Sequence, residues 1–99
     1  MAEYRDDDFE WDEEKSRDCY KRRGYDFHVA KLVFSGMYVT WEDSRNDYNE
    51  ERSLAVGIVY NEFVTVVYTE RESRKRIISS WESDDDEIRE FISFYGIES

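Results

Sequence analysis

The sequence predicts an α+β fold: two N-terminal helices, an antiparallel meander of four to five strands, and a C-terminal helix. Three observations predict it. Asp12, Asp26 and Ser83 stand where helix caps are favoured, and Gly24 and Gly36 stand where helices stop. Apolar residues fall at helical spacing at Phe27, Ala30, Val33 and Phe34, and again at Ile88, Phe91, Ile92 and Tyr95. Between them, the apolar runs are rich in β-branched and aromatic side chains, which suit a pleated, half-buried surface.

Taken in order, residues 1–8 read as an acidic, flexible lead-in to a single domain over 9–95, with 96–99 as a tail. Phe9-Glu10-Trp11 reads as a short strand with Phe9 and Trp11 on one side. Asp12 caps a helix whose first turn holds Glu13 and Glu14, where the helix dipole favours anions, and Gly24 closes it. Asp26 caps a second helix, ended by Gly36. Strands follow at Met37–Trp41, Leu54–Tyr60, Phe63–Tyr68 and Arg76–Trp81. Glu42–Glu51 is a polar loop, Asn61-Glu62 a tight turn, and Glu70–Lys75 a charged connection. Ser83 caps the last helix, with Asp86 in the capping-box position.

Composition narrows the function. The chain has 99 residues, of which 39% are hydrophobic and 39% charged, so it holds one modest core under a heavily charged surface. Its six Phe, eight Tyr and three Trp bring too much apolar area for a disordered polyelectrolyte. No apolar run reaches the roughly 20 residues a membrane span needs, and the start lacks the basic and apolar regions of a signal peptide. One Cys and one His build neither an internal disulfide nor a zinc site of the usual kind, and no cofactor is expected. A cytoplasmic domain is the expectation. The net charge of −11 is divided: eight acids and one base in residues 1–14, seven acids and one base in 82–99, and a mildly basic centre of ten acids and twelve bases. Such ends repel polyanions and attract basic partners, or simply confer solubility.

Several segments together resemble one known family. Phe9-Glu10-Trp11-Asp12, Lys15, Gly24-Tyr25, Phe27, Asp43 and Asp47-Tyr48 begin the likeness; Glu50-Glu51-Arg52, Gly57, Val66-Val67-Tyr68-Thr69-Glu70-Arg71 and Arg76-Ile77-Ile78-Ser79 continue it. In order and spacing they are similar to the BrnT toxins, the toxin halves of type II toxin–antitoxin pairs. The resemblance implies a RelE/ParE-like fold, metal-independent endoribonuclease action on messenger RNA, and neutralisation by a BrnA-type antitoxin that also represses the operon. Two stretches depart from the family pattern. Arg22-Arg23-Gly24 stands in place of Lys-His-Gly, and Ser79-Ser80-Trp81 in place of Ser-Ala-Arg.

Metal-free RNA cleavage takes its nucleophile from the 2′-hydroxyl, so the protein must position the phosphate, stabilise developing charge and help move protons. Arginine forks suit phosphate. Arg71 and Arg76 flank one turn and Arg52 starts a neighbouring strand, so these three are the candidate phosphate ligands, with Glu70 or Lys15 for proton transfer or orientation. The plainer alternative makes the arginines surface groups paired with Glu50, Glu51, Glu70 and Glu72. His28 reads as exposed and idle, Cys19 as a small, buried or half-buried side chain, and Trp11 and Trp41 as core. A second function abandons catalysis: Glu82, Asp84, Asp85, Asp86 and Glu87 would form an acidic surface that mimics nucleic acid and occupies a basic nucleic-acid-binding protein, as phage anti-defence inhibitors do. A third keeps only antitoxin binding.

Overall fold

The computed structural model describes residues 2–44 and 50–97. Ten elements lie within them: strands β1 (Glu3–Arg5) and β2 (Phe9–Asp12), helices α1 (Glu13–Arg23) and α2 (Phe27–Ala30), a 3₁₀ segment (Lys31–Ser35), strands β3 (Tyr38–Glu42), β4 (Ser53–Val59), β5 (Glu62–Arg71) and β6 (Arg74–Glu82), and helix α3 (Asp85–Tyr95). The strands form one sheet in the order β1-β2-β6-β5-β4-β3, antiparallel except where β2 runs parallel to β6. The α+β class is as expected. The sheet is not the expected antiparallel meander of four to five strands; it has six strands and is mixed.

Both differences arise at the N-terminus. Residues 3–5, expected as part of a flexible lead-in, fold back onto β2 with Tyr4 opposite Trp11, and the two rings stack with centroids 4.2 Å apart. The connection is closed by Asp6, whose carboxylate accepts the Asp8 and Phe9 N–H groups, the Tyr4 hydroxyl and the Lys31 ammonium. β2 then docks beside β6 through Phe9↔Lys75, Glu10↔Arg76 and Trp11↔Ile77.

Most local signals are realised. Asp12 caps α1 by accepting the Glu14 N–H, and Gly24 ends it with a left-handed φ of 83°. Asp26 caps α2 through the Val29 N–H. The second helix is shorter than expected: one turn, continuing as 3₁₀. The buried positions Phe27, Ala30 and Val33 are three apart, and a winding of three residues per turn keeps all of them against the sheet.

The turns and the last cap shift by one residue or more. The β4–β5 turn is Tyr60-Asn61, with φ of 50° and 68°, rather than Asn61-Glu62. Glu70–Lys75 is not a loop: both strands run through it to a two-residue turn at Glu72-Ser73, with φ of 51° and 73°. Positive φ at both central residues matches the right-handed twist of the flanking strands. At α3 the cap is Asp84, not Ser83, and its capping-box partner is Glu87, not Asp86. Ser83 is engaged otherwise, its N–H by the Phe63 carbonyl and its hydroxyl by Thr65, so the helix begins one residue later. The central part of the expected Glu42–Glu51 loop, with Asp47 and Tyr48, and the last two residues of the tail lie outside the described residues.

Alternation along the strands divides the core in two. One face of the sheet packs Trp11, Ala55, Val64, Val66, Tyr68 and Ile77 against Cys19, Phe27, Ala30 and Val33 of the N-terminal helices. The other packs Val39 and Val56 against Phe91 of α3. Gly57 lies where the 3₁₀ segment crosses β4: a Cβ there would stand 3.1 Å from the Met37 carbonyl oxygen and 3.1 Å from Val33 Cγ1.

Two stability predictions follow from these contacts. Gly57→Ala forces backbone apart and should cost about 1–3 kcal/mol in urea denaturation. Asp6 is the second case. Burial alone raises a carboxyl's pKa, but the four donors outweigh it and hold Asp6 down at about 2, against an ordinary 3.8. A carboxyl depressed by folding stabilises fully above its unfolded pKa, and that contribution disappears as pH falls through the folded value. Asp6→Ala should therefore lower stability at neutral pH by about 1–2 kcal/mol. The gap from the parent protein should narrow between about pH 5 and about pH 2.5, as read by urea melts across that range.

Candidate functional site

The site follows from the parity of β2. Trp11 is fully buried on the helix-packed face, so Glu10 must project from the opposite face. Register then lines up one row across four strands: Arg5 opposite Glu10, Glu10 opposite Arg76, and Arg76 opposite Thr69. Arg52 immediately precedes Ser53, whose partner is Tyr68, and the Thr69 hydroxyl donates to the neighbouring Glu51 carbonyl at 2.7 Å. Arg52 thus extends the row at the mouth of β4. One step toward the β5–β6 turn, Arg71 and Arg74 are paired and share that face. Helix α3 packs on β3 and β4 at the other end and reaches the far end of β6 only through Glu87 and Trp81, and among the described residues no helix packs over β1 and β2 on this face.

The row is electrostatically engaged. Arg76 Nη1 donates to Glu10 Oε2 at 2.8 Å and to Glu3 Oε1 at 2.7 Å, and Nη2 donates to Glu3 Oε2 at 3.2 Å. Glu10 is 2% exposed, and Arg5 Nη2 stands 4.0 Å from its Oε1, so the buried carboxylate lies between two guanidinium groups. The Arg76 bond holds the Glu3 carboxyl below its usual range, and the Glu3 bond in turn raises Arg76. Arg74 Nε donates to the Asp6 carbonyl at 2.7 Å, and Arg52 Nε to Glu50 at 3.1 Å. Arg71 is exposed and pairs with no carboxylate among the described residues.

Of the five residues expected at a catalytic site, the fold brings together Arg52, Arg71 and Arg76. It separates the other two. Glu70 alternates with Arg71 and so points to the helix-packed face, where it pairs with Lys75 at 3.7 Å. Lys15 stands on α1, lining a shallow basin of about 200 Å³ with Arg22, Arg23, Ile78 and Ser79, where β6 runs on beyond the end of β2. Sequence reasoning missed Arg5, Arg74, Glu10 and Glu3. The alternation Phe9-Glu10-Trp11 already places Glu10 opposite the core; its partner on β6 has no local signal.

The acidic candidates also divide. Asp84 and Glu87 complete the α3 capping box, and Glu87 additionally accepts from Trp81 Nε1 and the Thr65 hydroxyl. Glu82, Asp85 and Asp86 are exposed, with Asp86 bridged to Arg89 at 2.7 Å. Trp11 is core as expected and Trp41 packs at the rim of the α3 cluster. His28 is exposed but lies edge-on to Tyr4 and Trp11. Cys19 is buried, and that burial pushes its thiol up to about 11, away from nucleophilic use.

No helix among the described residues is long and apolar enough to cross a membrane. No curated protein matches the sequence. The family profile described as "Ribonuclease toxin, BrnT, of type II toxin-antitoxin system" matches residues 11–87, which takes in every element from α1 to β6. With the match covering most of the chain and the arginines of β5 and β6 inside it, the protein belongs to the BrnT family of ribonuclease toxins.

Proposed function

We propose that the protein is an endoribonuclease that cuts messenger RNA without a metal ion, on a sheet of the RelE/ParE kind. A BrnA-type antitoxin silences it by covering the arginine face. One observation supports this above the others: Arg52 at the entry to β4, Arg71 of β5 and Arg76 of β6 share one sheet face, and α3 packs at the other end of it. In the reaction the 2′-oxygen forms a bond to the adjacent phosphorus and the bond to the 5′-oxygen breaks. A proton leaves the 2′-hydroxyl and one is delivered to the 5′-oxygen; the products are a cyclic 2′,3′-phosphate and a 5′-hydroxyl. Charge accumulates on the phosphoryl oxygens, and arginine forks fixed on a rigid sheet stabilise it there. Arg71 is the ligand best placed to receive the phosphate, with Arg52 and Arg76 flanking it. Lys15 and Glu70 project elsewhere and have no part in this arrangement.

A second reading has its own support. Arg76 is already bound by two carboxylates, and Glu82, Asp85 and Asp86 remain open at the acidic end. On that reading the scaffold is an acidic decoy for a basic nucleic-acid-binding protein.

Cleavage of a long messenger RNA in EDTA separates the two. The parent protein should cut, and Arg71→Ala should cut on the order of a hundredfold more slowly, with an unchanged circular dichroism spectrum and melting temperature. Intact RNA with the folded parent protein overturns the ribonuclease reading.

A further inference from the structure

The interaction that closes Arg76 comes from outside the family-matched segment. Residues 11–87 carry the match; Glu10 stands just before it, within the Phe9-Glu10-Trp11-Asp12 stretch that resembles the family, whereas Glu3 precedes both. The two carboxylates are not equivalent. Glu10 is buried, takes one nitrogen of Arg76, and orients the guanidinium from the neighbouring strand. Glu3 has a side chain 49% exposed on the outermost strand and spans both terminal nitrogens, at 2.7 and 3.2 Å. Two oxygens on two guanidinium nitrogens is the arrangement that a phosphodiester's free oxygens adopt on arginine. Glu3 therefore fills the place a phosphate would take, and Glu10 keeps the fork aimed when it leaves.

We propose that Glu3 is an intramolecular phosphate mimic that keeps Arg76 closed until a phosphodiester of single-stranded RNA displaces it. The inference rests on the arginine face being the RNA-binding face. Displacement needs only a change of side-chain rotamer. The β1 backbone stays in place, held by the Tyr4–Trp11 stack and by the Glu13 N–H donating to the Ala2 carbonyl at 3.1 Å. A competing internal ligand lowers apparent affinity by the fraction of molecules in which the site is open. An exposed ion pair of this kind is weak, so the barrier it sets is small and an RNA ligand can overcome it.

The test uses the full chain and a fluorescent single-stranded RNA methylated at every 2′-oxygen, so that it binds but cannot be cut. Glu3→Gln and Glu3→Ala should each bind it roughly threefold to tenfold more tightly than the parent protein by anisotropy. Asp7→Asn removes the same charge from the same hairpin without touching an arginine, and should leave affinity within about twofold of the parent. Glu3 variants that bind no better than the parent protein, or no better than Asp7→Asn, overturn the proposal. Cleavage of unmodified RNA in EDTA reads the enzymatic reading separately. Tighter binding by the Glu3 variants with no cutting by any of them keeps the mimic and removes the ribonuclease.

Discussion

The pairing of β2 with β6 fixes most of what matters in this molecule. Trp11 opposite Ile77 buries a large aromatic side chain in the main core, a contribution of roughly 2–3 kcal/mol at the level of a buried aromatic. Because side chains alternate, that burial leaves Glu10 one choice of face, and the register sets it between two arginines, Arg5 of β1 and Arg76 of β6. A slip by one residue would expose Trp11 and drive Glu10 into the helix-packed core. The hydrophobic requirement on one side of the sheet thus specifies the electrostatic arrangement on the other.

The same pairing explains why charged groups are tolerated in so protected a position. A carboxylate 2% exposed is costly unless an ion of opposite charge and good hydrogen-bond geometry compensates it. Arg76 satisfies Glu10 at 2.8 Å, and no buried side-chain nitrogen or oxygen among the described residues lacks a hydrogen-bond partner. Arginine suits this position better than lysine because its planar fork serves Glu10 with one nitrogen and still presents a second outward. Arg76 is therefore both the counter-ion of a buried carboxylate and a partly exposed cation.

Much of this was legible in the sequence where the determinant is local. Asp12, Gly24 and Asp26 act through residues two to four away, and each does in the structure what its chemistry predicts. Alternation within one strand also placed Phe9 and Trp11 together, and the same alternation separates Glu70 from Arg71. What could not be read were pairings between distant segments. Nothing near Glu3-Tyr4-Arg5 announces a strand: it is three residues long, and it becomes one because Tyr4 finds Trp11. The two hairpin turns lack the glycine that usually marks positive φ, so Tyr60-Asn61 was displaced by one residue and Glu72-Ser73 was lost in a charged run. The plainer alternative for the arginines offers Arg76 the acids Glu50, Glu51, Glu70 and Glu72, whereas its carboxylate partners are Glu10 and Glu3, 66 and 73 residues away in sequence.

That distance bears on how the net charge of −11 is to be understood. A sum over the chain suggests a protein that repels RNA, and the two acidic ends suggest solvated tails. Folding changes the meaning of both. Half of the eight acids in the first segment serve structure: Asp6 in a turn, Asp12 in a cap, Glu3 and Glu10 on Arg76. In the last segment Asp84 and Glu87 do likewise. The carboxylates paired with Arg76 and Lys31 are neutralised locally, those on turns and caps accept from neutral N–H groups and keep their charge, and at physiological salt unpaired charges are screened beyond about 8 Å. What a ligand meets close to the sheet is set by Arg52 before β4, by the arginines of β5 and β6, and by which carboxylates already hold them. Recognition on this face is governed by that local competition between internal and external anions, and only weakly by the overall charge.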